Sequence, residues 1–423
     1  MNTCPTSASR EWGRAGYLFG GAVFHTESLV SKTPAVYLQA RRPHQRSRET
    51  IASFRVQPTV VMTEPINPIP SKYLDKLDPQ FIEVYNTHAA FRIRADQASI
   101  EEVRANPTKY QATVPPGPTP PVASATIHKI AVNNPPGEIE AKVYIPTSES
   151  ICAGGLQNAE GKLPAYVNYH GGGWVLGSLQ TDAPLCHQTT HSLGAITIDV
   201  NYRHGPETPF PAAIHDALGA LAWVFAHADA LGIDAARVAV GGLSAGGHLA
   251  AVVAHLARDE PSLPPLRLQC LVVPCVDMRW TPVGDEEEEE VCAGVEEGAL
   301  PYAAYAELVD VPCLPLQRIR WFFRHWVGTG EDRKEKVRQP IASPILFPSH
   351  AGIAPASIHV AEFDILRDEA EAYHEALKAA GTRSEFHIYK GMCHPFAMWD
   401  GALDKGKECN RNRIEALRAA FKL

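Results

Sequence analysis

The segment Gly241-Gly242-Leu243-Ser244-Ala245-Gly246-Gly247 constrains this chain more than any other. It contains the pattern Gly-x-Ser-x-Gly, follows the apolar run Arg237-Val238-Ala239-Val240, and precedes a helix-like run from His248 to Arg258. A strand must therefore turn sharply into a helix with a serine at the corner. Such a corner lifts the hydroxyl above the sheet edge, where a substrate can reach it. Gly242 and Gly246 flank the serine because a side chain there collides with neighbouring backbone. The plainer alternative is a strand-to-helix turn that is merely tightly packed.

A second glycine stretch, His170-Gly171-Gly172-Gly173-Trp174, ends the apolar run Leu163 to Tyr169. By itself it reads equally well as a flexible loop. At a strand end, however, it offers backbone N–H groups free to bind an oxyanion. Both glycine stretches then fall on the edge where open α/β sheets place their ligands.

Around them, β and α patterns alternate. Strands are expected at 125–132, 139–146, 163–169, 195–202, 237–243, 268–276, 356–362 and 385–390. Helices are expected at 183–193, 210–231, 366–380 and 411–421. Residues 148–162 read as a polar loop, and 114–121 as a proline-rich linker. The alternation predicts an α/β fold, with a mostly parallel central sheet and helices on both faces. Upstream, 62–110 has a helical pattern, with Leu74, Leu77, Phe81, Val84 and Tyr85 as its apolar stripe. Residues from about 281 to 340 are too many for a simple connection and read as an insertion. The insertion holds the acidic run Asp285–Glu290 and an aromatic helix containing Trp321, Phe322, Phe323 and Trp326. The acidic run reads as a solvated loop. The aromatic residues line an acyl or alcohol pocket in one reading and bury the insertion against the core in the other.

The 423 residues carry a net charge of −8, and Asp285–Glu290 with Glu296 and Glu297 account for it. No basic face points to nucleic acid or an anionic membrane. No apolar run reaches membrane-spanning length. Nine cysteines lie scattered without zinc-type spacing, which fits reduced thiols in a cytoplasmic protein. No metal and no organic cofactor is expected. Residues 1–61 are rich in Arg and Ser and match the composition of a transit peptide. A disordered extension, or a wrong start with Met62 as the real one, is the favoured reading.

A serine nucleophile needs a histidine base, and the base needs a carboxylate. In the order Ser, acid, His, the chain offers Asp364 after the strand 356–362 and His394 after the strand 385–390. Glu362 and Asp368 are competing carboxylates. His248 competes for the base but lies on the helix after Ser244, where packing explains it. Cys393 reads as a small apolar neighbour of His394.

These segments together resemble the hormone-sensitive-lipase-like family of α/β-hydrolases. The resemblance rests on His170 to Ser178, Asn201-Tyr202-Arg203 with Pro206-Glu207 and Pro209 to Ala213, Gly242 to Gly247, Asp364 to Glu369, and Gly391 to Phe396. It covers the chain from about Met62 to its end. It implies the α/β-hydrolase fold with a helical cap built from 62–110 and the insertion at about 281–340. The catalytic domain is then 111–423. By the same resemblance, Ser244 is the nucleophile, Asp364 the acid and His394 the base. Gly172, Gly173 and the N–H of Ala245 form the oxyanion hole, and His170 braces the loop, with Gly171, Gly242 and Gly246 supporting. Leu243 departs from the family, which often has an acid before the nucleophile; Asp285–Glu290 and residues 1–61 find no counterpart.

The expected activity is hydrolysis of a small carboxylic ester, short- to medium-chain, by acyl transfer. Amide, formamide or lactone hydrolysis on the same triad is the alternative. A non-catalytic small-molecule receptor of the same fold is a third reading, disfavoured because serine, acid and histidine are all present. Nothing in the sequence bears on oligomeric state.

Overall fold

The computed structural model describes residues 64–279, 302–330 and 332–422. The extension 1–61 and the acidic run Asp285–Glu290 lie outside the described residues. Eight strands form one sheet: β1 (Ser124–Asn133), β2 (Pro136–Ile145), β3 (Leu163–Tyr169), β4 (Ile196–Asn201), β5 (Ile233–Leu243), β6 (Gln269–Val272), β7 (Ala356–Phe363) and β8 (Ser384–Cys393). Their order is β1-β2-β4-β3-β5-β6-β7-β8. β1 and β2 form the expected antiparallel pair, β2 runs antiparallel to β4, and the remaining pairs are parallel. The central strands are buried along their length because helices cover both faces.

The sheet register prepares the site. Tyr169 pairs with Gly242 across β3 and β5, so the chain leaves both strands at one level and His170 emerges beside Leu243. Phe363 pairs with Cys393 across β7 and β8, so Asp364 and His394 are the next residues on the same edge.

Several elements differ from the sequence expectation. Residues 64–110 hold only two α-helices, Pro79–His88 and Ile100–Ala105, with short 3-10 turns before, between and after them. Pro65, Pro68, Pro70 and Pro107 remove the donors and the backbone freedom a longer helix needs. Leu77, Phe81, Val84 and Tyr85 are buried as expected, whereas Leu74 is 49% exposed because it closes a 3-10 turn rather than continuing a helical face. The expected polar loop at 148–162 opens with a helix, Ser148–Gly154, capped by the Thr147 hydroxyl accepting from the Ser150 N–H at 3.1 Å. The helix expected at 210–231 starts at Ala212 and breaks at His227. The last helix starts at Asp404, seven residues early, its first turns being too polar to show an apolar stripe.

The N-terminal segment and the insertion pack together. Tyr73 donates to Asp310 at 2.8 Å, and Ala95, Val103 and Tyr110 form a small cluster against Leu176 and Trp321. The insertion's main helix, Leu316–Val327, buries Ile319, Phe322, Phe323 and Trp326 in the central core. Its Trp326 stacks on Trp174 of the glycine loop, with ring centroids 4.2 Å apart and planes 7° apart.

Candidate active site

Ser244 joins β5 to the helix Ala245–Asp259 with φ 58° and ψ −114°, a conformation that side-chain-bearing residues rarely adopt. The strain persists because the surroundings fix it from both sides. Its N–H donates to the Val272 carbonyl at 2.8 Å, and its carbonyl accepts from the His248 N–H at 2.9 Å. The glycines allow the approach. A Cβ at Gly246 would sit 2.6 Å from the Tyr169 carbonyl carbon and 2.9 Å from the His170 oxygen. One at Gly242 would sit 2.6 Å from the Gly246 carbonyl carbon.

Asp364, His394 and Ser244 form one hydrogen-bonded line. His394 Nδ1 lies 2.7 Å from Asp364 Oδ2, and His394 Nε2 lies 2.9 Å from Ser244 Oγ. A carboxylate can only accept, so Nδ1 carries the proton, and Nε2 is left bare toward the serine hydroxyl. Asp364 is fully buried, and its other oxygen accepts from the Leu366 N–H at 3.0 Å. Ser244 remains partly accessible. A histidine held this way can take the serine proton, and a buried carboxylate beside it stabilises the imidazolium that results.

The competing residues are engaged elsewhere. Glu362 pairs with Lys390 and accepts from the Gly391 N–H, each at 2.8 Å. Asp368 bonds Arg367 and the Ala304 N–H. His248 accepts from Trp174 Nε1 at 3.1 Å and donates through Nε2 to the Ala342 carbonyl at 3.1 Å. Burial pushes its pKa down to about 3, which keeps it neutral as a bridge between the elbow helix, the glycine loop and the segment just after the insertion. Cys393 is buried, and burial pushes its thiol well above the ordinary range.

The glycine loop sits beside Ser244. Gly172 and Gly173 have φ 129° and 61°. The Gly172 carbonyl accepts from Leu176 N–H at 2.9 Å, which curls the loop. Among the described residues, the N–H groups of Gly172, Gly173 and Ala245 donate to no other group. Ala245 is the first residue of its helix, where N–H groups have no partner within the helix. Gly171 fits closely against Leu243, its Cβ position 3.0 Å from Leu243 Cδ2. His170 is buried, stacks on Tyr202 at 4.4 Å and donates from Nδ1 to the Gly171 carbonyl at 2.8 Å. Burial holds its pKa down to about 4, so it stays neutral.

Sequence reasoning missed a polar layer behind this loop. Asn168, two residues before His170, donates to Asp199 at 2.8 Å and Asp182 at 3.1 Å. Burial raises Asp199 to about 8, with the Asp182 charge adding to it, and raises Asp182 to about 6. The only local signal was a charged letter inside an otherwise apolar strand. A second missed pair is Glu369 and Asp277. Buried Glu369 accepts from the Val276 N–H at 2.6 Å and from Tyr305. Among the described residues no cluster of His, Cys, Asp and Glu has the arrangement of a metal site. No described helix is long and apolar enough to cross a membrane.

Comparison with known proteins shows what the chain is similar to. A family profile described as alpha/beta hydrolase fold matches residues 166–398. The chain is 32% identical over 370 residues to the AB hydrolase superfamily protein C1039.03 of Schizosaccharomyces pombe, covering 85% of this chain and 98% of that protein. It is 32% identical to esterase LipI of Mycobacterium tuberculosis, covering 82% and 95%. Among solved structures, EstE1, a thermostable carboxylesterase cloned from a metagenomic library, superimposes with a TM-score of 0.62 at 31% identity, covering 77% of this chain and 98% of that one. The fold is that of an α/β-hydrolase. The chain belongs to the hormone-sensitive-lipase-like family of α/β-hydrolases and is a carboxylic ester hydrolase.

Proposed function

We propose that this hydrolase cleaves short- to medium-chain carboxylic esters through an acyl-enzyme on Ser244. The observation that carries the reading is the continuous line from Asp364 Oδ2 through His394 to Ser244 Oγ, at 2.7 and 2.9 Å. Ser244 Oγ attacks the ester carbonyl carbon while His394 Nε2 takes its proton. The carbonyl oxygen becomes an oxyanion and accepts from the N–H groups of Gly172, Gly173 and Ala245. Each such donor is worth roughly 10²–10³ in turnover. His394 returns the proton to the leaving alkoxide oxygen, the C–O bond breaks, and the alcohol departs. A water then gives its proton to His394 and attacks the acyl carbon; as the bond from that carbon to Ser244 Oγ breaks, His394 returns the proton to Oγ, and the acid and the free serine hydroxyl result.

Gly171, Gly242 and Gly246 support the site by permitting close backbone approach, and His170 braces the loop through its bond to Gly171. Residues 64–110 and the insertion act as the cap over the site, and the substrate is a small ester. The described cysteines are all free thiols, and only Cys152 is exposed, which accords with a cytoplasmic setting. The test is Ser244→Ala assayed on nitrophenyl acetate and butyrate. Turnover is expected to fall by about 10⁴-fold or more. Turnover within tenfold of the parent would remove Ser244 from the mechanism.

A further inference from the structure

The four aromatic residues of the helix Leu316–Val327 divide by what they touch. Trp326 is fully buried, stacked on Trp174 and edge-on to Phe210 and His248. Phe323 is buried beside Trp174. Trp321 faces the small cluster of Ala95, Val103 and Tyr110. Phe322 meets the backbone of the proposed oxyanion loop at Gly173. A Cβ at Gly173 would sit 2.8 Å from Phe322 Cε1 and closer still to two other ring carbons. The ring therefore lies in van der Waals contact with the backbone whose N–H is read here as an oxyanion donor.

The ring is held from behind. The Arg318 guanidinium carbon lies 5.8 Å from its centroid, and Trp321 meets it edge-on at 5.2 Å. Arg318 is itself fixed, donating to the Cys313 carbonyl at 2.6 Å with Asp96 3.8 Å away. A wall fixed in this way does not swing aside readily for a longer chain.

Sheet order says which part of the substrate meets the wall. β3, which ends in the glycine loop, and β8, which ends at His394, lie on opposite sides of β5 and Ser244. The leaving oxygen must lie toward His394 to receive its proton. The group beside Gly173 and Phe322 is then the acid part. We propose that Phe322 is a specificity-determining residue whose ring closes the acyl side of the site and restricts the enzyme to short acyl chains. The inference rests on the acyl-enzyme reading above and adds to it the residue that sets chain length.

The test compares kcat/KM for nitrophenyl acetate, butyrate and octanoate in the full chain and in Phe322→Ala, Phe322→Leu and Trp321→Ala. The parent is expected to favour acetate or butyrate. Phe322→Ala should raise the octanoate-to-acetate ratio about tenfold or more, because even one methylene in an apolar pocket changes discrimination by about 10–200-fold. Phe322→Leu should raise it less, and it carries the test if the alanine variant does not fold. Trp321→Ala, which removes one support of the ring and leaves the ring itself in place, should raise the ratio less than Phe322→Ala. An unmoved ratio in active Phe322 variants, or an equal rise in Trp321→Ala, overturns the inference alone. A parent inert toward all three esters overturns the acyl-enzyme reading and the inference with it.

Discussion

At Gly246 the space a side chain would need is filled by main chain, the carbonyls of Tyr169 and His170; at Gly173 it is filled by the ring of Phe322. The two glycines flank the same serine, and both are tight. The elbow is closed by the sheet itself, which cannot change without dismantling β3 and β5. The glycine loop is closed by one side chain from the insertion, which can be exchanged. A site built this way separates the parts that perform the reaction from the part that selects what reacts.

The largest effect should come from the reacting side. Asp364→Asn preserves shape and keeps its oxygen on the Leu366 N–H, but it turns an amide NH2 toward His394 Nδ1, which reverses the tautomer, and turnover should fall by about 10⁴-fold. Initial rates on nitrophenyl butyrate measure it; a loss under tenfold would mean that another carboxylate orients the histidine.

Next comes the elbow. Gly246→Ala places a methyl into backbone and should destabilise the protein by about 3 kcal/mol or more. No second substitution of a side chain should rescue it. At the loop, Gly173→Ala should cost about 2 kcal/mol, part from the ring and part from a positive φ that costs roughly 1 kcal/mol outside glycine. Phe322→Ala should relieve the first part, giving a coupling of about 1 kcal/mol in a double-mutant cycle read by urea melts. Additive losses would contradict the contact, and rescue of Gly246→Ala by a side-chain change would erase the contrast between the two glycines.

Much of this contrast could be read in the letters. Ser244, Asp364 and His394 each follow an apolar run, and parallel sheets deliver such positions to one edge, so local pattern sufficed to bring them together. The glycines of both stretches were readable as sites of close approach. What approaches them was not. The Phe322–Gly173 contact joins residues from an insertion and a strand end, and no local pattern encodes that pairing. The polar layer of Asn168, Asp182 and Asp199 was equally hidden, because single polar letters inside β3 and β4, and one before the helix Ala183–Leu193, look like noise until the strands pair. Helix Ser148–Gly154 was missed because a polar segment with an N-cap threonine resembles a loop when it buries little apolar surface.

That polar layer supplies the smallest predicted effect and extends the comparison to what lies behind the loop. Asp199 binds its proton more tightly when folded, at about 8, than an ordinary carboxyl does. Between pH 4 and 8 the folded state therefore holds more protons than the unfolded one, and this group's contribution to stability falls as pH rises. Asp199→Asn keeps an acceptor for Asn168 and removes the titration. Its melting temperature should gain on the parent's steadily from pH 5 to pH 8. Parallel curves would place the titration elsewhere.

The central claim is that Ser244 is the atom acylated. Incubating the full chain with an aryl phosphonate that mimics the tetrahedral intermediate, then mapping the adduct by peptide mass spectrometry, tests it directly. The account predicts one adduct per chain, on Ser244, formed in step with loss of esterase activity and absent in Ser244→Ala. An adduct on another residue, or full loss of activity with Ser244 unmodified, would contradict it.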